Sequence, residues 1–272
     1  MKTYRQRLRD ICEERGNLCV GIDPHPSMLS AWGLDRSAQG LERCARGIVE
    51  ALGDSIAVFK PQSAFFESHG SAGIAVLERL LVDIRAHGAL SILDVKRGDI
   101  GSTMEAYADA YLVDDAPLAA DAITVSPYLG FGSLMPAFER AIAFRRGVYV
   151  LARTSNPEGA AVQLALANEG SVVQEIIDAA HTLNHRAKTR AIGLVVGGTH
   201  ATLGCDVSDF DGSILVPGIG TQGGRIEDLP ELFGAAFDHV LPVVGRGILG
   251  AGPDPEALRR RVGHFVRGVD AT

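Results

Sequence analysis

The sequence predicts one (β/α)8 barrel, the TIM-barrel fold, that takes up residues 1–272 as a single domain. The length of 272 residues is close to the roughly 250 residues that are typical of such a barrel. Eight short apolar runs recur along the whole chain, and segments with helical periodicity separate most of them. No stretch rich in Pro, Gly or Ser marks a point at which the chain would divide into two domains.

Each apolar run is nearly continuous, which is typical of parallel strands covered on both faces. The predicted strands are LCVGID (18–23), IAVFKP (56–61), SILDVK (91–96), AITVSP (122–127), GVYVLART (147–154), AIGLVVGG (191–198), SILVPGIG (213–220) and HVLPVVGRG (239–247). The clearest helices cover 71–88 and 170–190, and the second ends in basic residues that suit a helix C-terminus. An open, doubly wound sheet is the structural alternative.

Composition excludes several classes of partner. Hydrophobic residues make up 46% of the chain, enough for a full core, and a net charge of −7 argues against a nucleic-acid groove or an anionic membrane surface. No apolar run reaches the ~18 residues of a membrane span, and the charged N-terminus shows no signal peptide. The four cysteines show no zinc-type spacing, so we expect a cytoplasmic protein without disulfides or metal.

Lysine is rare in this chain, and its positions are therefore informative. Only four of the 26 basic residues are lysines. A lysine can release a proton near neutral pH when its surroundings tune it, whereas arginine effectively never does. Lys60 and Lys96 lie at the ends of predicted strands and become candidates for chemistry, whereas we assign Lys2 and Lys188 no role.

Polar residues, glycine or proline end most of the predicted strands. In a barrel these ends form one face, and that face holds the active site. The set comprises Asp23, Lys60, Asp94, Lys96, Ser126, Thr154, Gly197, Gln222 and Arg246. For the uncharged members, the ordinary change from apolar to polar residues at a strand end is about as good an explanation as a functional role. Charged side chains at a barrel mouth, however, need partners when they are partly buried.

The densest charged cluster is Asp94-Val-Lys96-Arg-Gly-Asp99. Residues two apart on a strand point the same way, so Asp94 and Lys96 should share a face. Carboxylates on both sides of one ammonium would stabilise its charged form, and an ammonium aimed inward is a good general acid toward a carbanion. A carboxylate beside it could repel a substrate carboxylate and favour its loss as CO2. A strand-end salt bridge without catalytic function is the simpler alternative.

The second cluster follows the seventh and eighth predicted strands, where barrels frequently bind phosphate through glycine N–H groups and a helix N-terminus. It consists of V-P-G-I-G-T-Q-G-G (216–224) and V-G-R-G (244–247). Arg246 could add a bidentate contact to phosphate oxygens. Residues 218–223 also match the G-x-G-x-x-G dinucleotide motif, but that match is weak because it occurs late in the chain.

These motifs resemble the orotidine 5′-phosphate decarboxylase family, whose barrel is of the ribulose-phosphate-binding type. The most specific part is D-V-K-R-G-D-I-G-S-T (94–103). F-K-P (59–61), T-S-N-P (154–157) and P-G-I-G-T-Q-G-G (217–224) are also similar, so the resemblance covers nearly the whole chain. The segment F-K-P-Q-S-A-F-F-E looks like the longer-chain bacterial and mycobacterial subgroup.

The resemblance implies decarboxylation of orotidine 5′-phosphate to UMP, the last step of de novo UMP biosynthesis, without a metal or organic cofactor. Lys96 would deliver the proton to C6 of the pyrimidine, Asp94 would lie against the departing carboxylate, and Lys60 would link Asp94 to the ribose hydroxyls. Asp23 would bind a ribose hydroxyl, and Ser155 would contact the pyrimidine amide edge. The residues implied for the phosphate and its loop are Pro217, Gln222, Gly245 and Arg246.

The resemblance further implies a homodimer in which Asp99 and Thr103 complete the site of the partner subunit. Two alternatives stay open. One is a Mg²⁺-dependent sugar-phosphate decarboxylase or aldolase of the same barrel superfamily, in which Asp94 and Asp99 would bind the metal. The other is a non-catalytic phosphosugar-binding module, which would keep Gln222 and Arg246 but could dispense with Lys96.

Overall fold

The computed structural model describes residues 1–167 and 170–270, with side chains up to residue 266. Its eight strands are β1 (Cys19–Ile22), β2 (Val58–Pro61), β3 (Leu90–Arg97), β4 (Ala122–Val125), β5 (Gly147–Arg153), β6 (Ile192–Val196), β7 (Ile214–Val216) and β8 (Val240–Val244). Each lies within or overlaps one of the apolar runs, so all eight predicted strands are confirmed. Where the runs extend past the ends of the strands, their last residues belong to the loops at the barrel mouth or, at Arg246 and Gly247, to the first turn of a helix.

The strands pair in sequence order, all parallel, and β8 closes on β1. This closure confirms the (β/α)8 barrel and rules out the open, doubly wound sheet. It also removes the context that the G-x-G-x-x-G motif requires, because residues 218–223 follow the seventh strand of a barrel and lead into a 3-10 helix at Ile226–Asp228.

Helices cover the outside of the barrel. They are α1 (Tyr4–Arg15), α2 (Pro26–Ala31), α3 (Ala38–Leu52), α4 (Ser63–Glu67), α5 (Gly70–Ala86), α6 (Gly101–Leu112), α7 (Met135–Ala143), α8 (Ala160–Gln163), α9 (Val172–Arg186), α10 (Leu229–Phe233), α11 (Arg246–Leu249) and α12 (Pro255–Asp270). Their apolar residues recur at helical spacing, as in α9, which buries Val173, Ile176, Ile177 and Ala180. Both helices singled out in the sequence, α5 and α9, are therefore confirmed.

The N-terminal helix α1 closes the bottom of the barrel. A capping box between Thr3 and Gln6 starts the helix. The side chains of Tyr4 and Leu8 then pack on the interior residues of the strands, and the hydroxyls of Tyr4 and Tyr149 are hydrogen-bonded at 2.9 Å. Because this end is sealed, a substrate reaches the interior only from the opposite end, where the strands finish. Among the described residues, the helices lack the length and hydropathy that crossing a bilayer requires.

Candidate active site

A cavity of about 760 Å³ opens at the C-terminal ends of the strands. It is lined by most of the residues singled out in the sequence, namely Asp23, Lys60, Asp94, Lys96, Ser126, Thr154, Ser155, Pro217, Gln222, Gly245 and Arg246. A larger cleft of about 920 Å³ is lined mainly by the loop after β6 and, among the described residues, shares no lining residue with this cavity. The charged residues of the sequence clusters belong to the smaller cavity, which is therefore the candidate active site.

Strand periodicity explains the floor of this cavity. Val58, Ile92 and Ala122 point into the barrel and belong to its interior cluster. Two residues further along each strand, the side chains point inward again, and the residues there are Lys60, Asp94 and Thr124. Consecutive strands thus place a cation, a carboxylate and a hydroxyl side by side on top of the apolar interior.

Asp94 is the centre of the charged network. Its Oδ2 accepts a hydrogen bond from Lys60 Nζ at 2.8 Å, and its Oδ1 accepts one from Lys96 Nζ at 2.7 Å. The Thr124 hydroxyl donates a third, 2.7 Å long, to Oδ1. The side chains of Lys60 and Asp94 are only 7% and 8% exposed, whereas that of Lys96 is 46% exposed. Lys96 therefore presents its ammonium to the cavity while Asp94 fixes it from below.

Opposite charges keep the buried pair ionised. Burial by itself would raise the pKa of Asp94, but the ammonium groups of Lys60 and Lys96 outweigh burial and hold that pKa well below its usual range. Burial would likewise lower the pKa of Lys60, but the carboxylates of Asp94 and Asp23 outweigh it and raise that pKa. The site thus carries a permanent carboxylate between two cations near neutral pH.

The sequence predicted one ammonium between two carboxylates, and within one chain this expectation is wrong. The carboxylate of Asp94 lies between two ammonium groups, while Asp99 instead accepts a hydrogen bond from the backbone N–H of Ile100. Neither Asp99 nor Thr103 lines the cavity of its own chain. The reason is the end of β3: the strand ends at Arg97, and Asp99 already belongs to the short connection that leads into α6 at Gly101.

Asp23, at the end of β1, adds an unsatisfied acceptor to the site. Its Oδ1 lies 3.9 Å from Lys60 Nζ, and within the described structure this atom is buried without a hydrogen-bond partner. An unpaired buried carboxylate oxygen is costly unless a ligand supplies the donor. Asp23 is therefore suited to accept a hydrogen bond from a bound hydroxyl group.

The glycine loop after β7 is a compact turn that requires its glycines. Gly218, Gly220 and Gly223 have φ values of 98°, 86° and 100°, a region that side chains with a Cβ rarely adopt. The N–H of Gly224 donates to the carbonyl of Gly218, at 3.0 Å. This turn holds Gln222 at the mouth, where its Oε1 accepts a hydrogen bond of 3.5 Å from Ser155 Oγ.

Sequence reasoning missed several polar residues that line the cavity, among them Thr124 and Gln163. Gln163 Oε1 accepts hydrogen bonds from Arg153 Nη1 at 3.1 Å and from the backbone N–H of Thr154 at 3.0 Å. It thereby supports the segment that carries Ser155. Thr124 had a detectable signal, since it is a hydroxyl within an apolar strand two residues before Ser126. Gln163 had no such signal in the sequence, because it lies in the short helix α8, nine residues after Thr154, whose backbone it contacts.

Together, the closed barrel and the lysine–aspartate–lysine array at its mouth define the class: a (β/α)8-barrel enzyme with an acid–base site at the C-terminal face. The model of the orotidine 5′-phosphate decarboxylase / HUMPS family matches residues 16–261. A Salinispora tropica protein named orotidine 5′-phosphate decarboxylase is 54% identical over 95% of this chain and 94% of its own. A protein of that name from Streptomyces coelicolor is 51% identical over 98% and 96%.

Solved structures agree with the sequence relatives. A Streptomyces avermitilis crystal structure, 49% identical, superposes with a TM-score of 0.93 over 100% of this chain and 96% of its own. The OMP decarboxylase of Leishmania donovani, 26% identical, superposes with a TM-score of 0.79 over 100% of both chains. The chain belongs to the orotidine 5′-phosphate decarboxylase / HUMPS family, which confirms the resemblance found in the sequence.

Proposed function

We propose that this chain decarboxylates orotidine 5′-phosphate to UMP and CO2, the last step of de novo pyrimidine nucleotide synthesis. The observation that carries the proposal is the Lys60–Asp94–Lys96 array on the cavity floor, in a chain 54% identical to a relative named for this reaction. A binding module would have no use for an exposed ammonium held against a buried carboxylate, so the array favours a catalyst.

The reaction breaks the bond between C6 of the pyrimidine and its carboxylate carbon. The electron pair of that bond stays on C6, which has no pyridoxal or thiamine group to delocalise it. In our proposal the Asp94 carboxylate lies against the substrate carboxylate and disfavours the ground state. The Lys96 ammonium then donates its proton to C6, and the neutral amine regains a proton from solvent before the next turnover.

The other residues of the cavity bind and orient the substrate. We propose that Asp23, whose Oδ1 has no hydrogen-bond partner within the described residues, accepts a hydrogen bond from a ribose hydroxyl, and that Lys60 links this ribose to Asp94. Ser155 would contact the pyrimidine amide edge. For the phosphate we propose the loop shaped by Pro217 and the start of α11, with contacts from Gln222, Gly245 and Arg246.

Remote binding of the phosphate matters for the rate. Enzymes lower barriers by roughly 8–23 kcal/mol, and a cofactor-free decarboxylation needs the upper part of that range. One ion pair cannot supply this. Phosphate binding must therefore contribute free energy that organises the charged array around the reacting carbon.

The charges of the array oppose the Mg²⁺-dependent alternative. Both oxygens of Asp94 already accept hydrogen bonds from ammonium groups, which occupy the carboxylate and repel a divalent cation. Among the described residues, no group of three or more His, Cys, Asp or Glu side chains is arranged to hold a metal ion. The geometry therefore favours the decarboxylase over a sugar-phosphate enzyme that needs the metal.

The purified protein, dialysed against EDTA, tests this proposal in an ultraviolet assay with orotidine 5′-phosphate. We expect full conversion, with one CO2 released for each UMP. Dependence on added Mg²⁺ would support the sugar-phosphate enzyme instead. Absence of any absorbance change at high protein concentration, together with retained binding of UMP, would leave the binding module as the better account.

We also propose that the active enzyme is a homodimer in which Asp99 and Thr103 complete the neighbouring site. Two features support this: both residues lie outside the cavity of their own chain, and large hydrophobic side chains are exposed near the mouth. Ile100, next to Asp99 in the chain, is 63% exposed, and Tyr128, which lines the cavity on the loop after β4, is 81% exposed. Exposed apolar surface next to an incomplete site is suited to a second copy of the chain.

Mixing two inactive variants tests the shared site. We expect Asp99→Ala and Lys96→Ala to be inactive alone and to recover activity together, because a mixed dimer has one site without either lesion. Random exchange makes half of the dimers mixed, so about a quarter of the wild-type activity should return. No recovery despite demonstrated subunit exchange would place Asp99 in the site of its own chain.

Two further expectations complete the proposal. We propose that residues 1–272 work as a single domain, since the chain runs around one barrel. We also propose that the enzyme acts in the cytoplasm, where its nucleotide substrate and product are metabolised. Fluorescence microscopy of the tagged chain in its host would test the second expectation.

A further inference from the structure

Thr124, which no sequence motif marked, connects the two central residues of the site. It lies on β4, is 1% exposed, and still lines the cavity. Its hydroxyl donates to Asp94 Oδ1 at 2.7 Å, and its oxygen accepts the backbone N–H of Lys96 at 2.9 Å. One side-chain atom thus contacts both the buried carboxylate and the backbone of the exposed lysine.

The direction of both hydrogen bonds is fixed by chemistry. The N–H of Lys96 can only donate, so it uses a lone pair of the Thr124 oxygen. The single hydroxyl hydrogen is then free for the ionised carboxylate of Asp94, which can only accept. A valine of the same shape would provide neither hydrogen bond, whereas a serine would keep both groups.

The backbone at Lys96 needs this support. Lys96 has a φ of +47°, a left-handed conformation that a residue with a long side chain rarely adopts without compensation. The register of β3 against β4 shifts between Leu93 and Arg97, so Lys96 lies where regular strand pairing is interrupted. The Thr124 oxygen accepts the N–H of this irregular stretch, which stabilises the turn that directs the ammonium back onto Asp94.

We propose that Thr124 is a positioning residue for the reaction: its hydroxyl sets the orientation of the Asp94 carboxylate and the backbone conformation that aims the Lys96 ammonium at the substrate. The inference rests on the proposed function, because it assigns Lys96 and Asp94 to the reacting groups. Thr124 itself would not touch the substrate carbon. It acts by fixing the separation and direction of the two groups that do.

The magnitude follows from the geometry of proton transfer. A misplacement of about 1 Å between reacting groups costs on the order of 100-fold in rate. Without the hydroxyl, Asp94 Oδ1 keeps only Lys96 as donor, and the left-handed turn at Lys96 loses its side-chain acceptor. Ground-state binding changes little, because the proposed phosphate and ribose contacts belong to other strands.

Thr124→Val, Thr124→Ala and Thr124→Ser test the proposal in the full-length protein with orotidine 5′-phosphate. We expect kcat to fall about 100-fold in Thr124→Val with KM within about 3-fold, and Thr124→Ser to recover kcat to within about 5-fold of wild type. Thr124→Ala removes the hydroxyl without adding a methyl beside the carboxylate. It gives the same test if the valine variant does not fold.

Three outcomes would overturn the proposal: wild-type kcat in a folded Thr124→Val or Thr124→Ala protein, equal loss of kcat in Thr124→Ser, or a loss confined to KM. A role in packing alone predicts the second outcome, because Thr124→Ser removes the γ-methyl group of the side chain while it keeps the hydroxyl. Failure of the proposed function itself is distinguishable, because the wild-type protein would then not produce UMP at all.

Discussion

The buried ion pair between Lys60 and Asp94 makes a prediction about stability that does not depend on the substrate. In Lys60→Met an apolar side chain of similar length replaces the cation, and Asp94 stays buried with Lys96 and Thr124 as its remaining partners. Removing one member of a buried pair costs about 3–5 kcal/mol when the other charge is left alone. Because two of three donors remain, we expect roughly half of that, about 2 kcal/mol, at neutral pH.

The loss should depend on pH in a defined way. Asp94 has a lowered pKa in the folded state. Its contribution to the free energy of unfolding is therefore complete above the ordinary pKa of a carboxyl group and is lost as pH falls through the lowered pKa. Lys60 has a raised pKa, so its contribution is complete below the ordinary lysine range and is lost as pH rises through that raised pKa. The difference between wild type and Lys60→Met should therefore be largest between about pH 5 and about pH 9.

Thermal unfolding measured by circular dichroism provides the assay. For a chain of this size 1 kcal/mol corresponds to about 2–4 °C, so the Tm of Lys60→Met should fall by about 4–8 °C at pH 7. Lys2→Met is the matched control, since it removes the lysine of an exposed Lys2–Asp10 pair and should leave the Tm nearly unchanged. Equal losses in both variants, or a loss that does not vary with pH, would refute the reasoning.

Two further predictions concern substrate binding. Arg246→Ala should raise the KM for orotidine 5′-phosphate by about 10- to 100-fold, as expected for the loss of a charged hydrogen bond. Arg225→Ala is the control, because Arg225 follows the glycine loop, is paired with Glu227 and does not line the cavity, and its KM should be that of the wild type. Steady-state kinetics of both variants decide, and a wild-type KM in Arg246→Ala would remove Arg246 from the phosphate site. Ser155→Ala should lower kcat/KM by about 10-fold, while ribose 5-phosphate should inhibit the variant as strongly as it inhibits the wild type. Weaker inhibition of the variant would place Ser155 near the phosphate instead.

The barrel could be predicted from the sequence because each strand is recognisable as a short apolar run. The residue at which each strand ends was harder to predict. The run 213–220 contains only the three residues of β7 (Ile214–Val216), because the proline and glycines that follow form the loop. Apolar content identifies a strand, but loop geometry decides where it stops.

The active site was predictable where strand alternation applies and not where it breaks. Alternation placed Asp94 and Lys96 on the same face, and their side chains are hydrogen-bonded. The left-handed backbone of Lys96 leaves no trace in the residue pattern. The hydroxyl of Thr124 is visible there as a polar residue within an apolar strand, but the pattern does not show that it supports the backbone of Lys96. The assignment of Asp99 to a position beside Lys96 failed within one chain because sequence distance does not report where β3 ends and the connection to α6 begins.

The central claim is that the Lys96 ammonium delivers the proton to C6, and Lys96→Arg tests it most directly. Arginine keeps the positive charge beside Asp94 but cannot release a proton near neutral pH. With kcat measured at saturating orotidine 5′-phosphate and the Kd of UMP by calorimetry, we predict a fall in kcat of about 1,000-fold and a nearly unchanged Kd. A variant that binds UMP normally and retains kcat within about 10-fold of wild type would contradict the account.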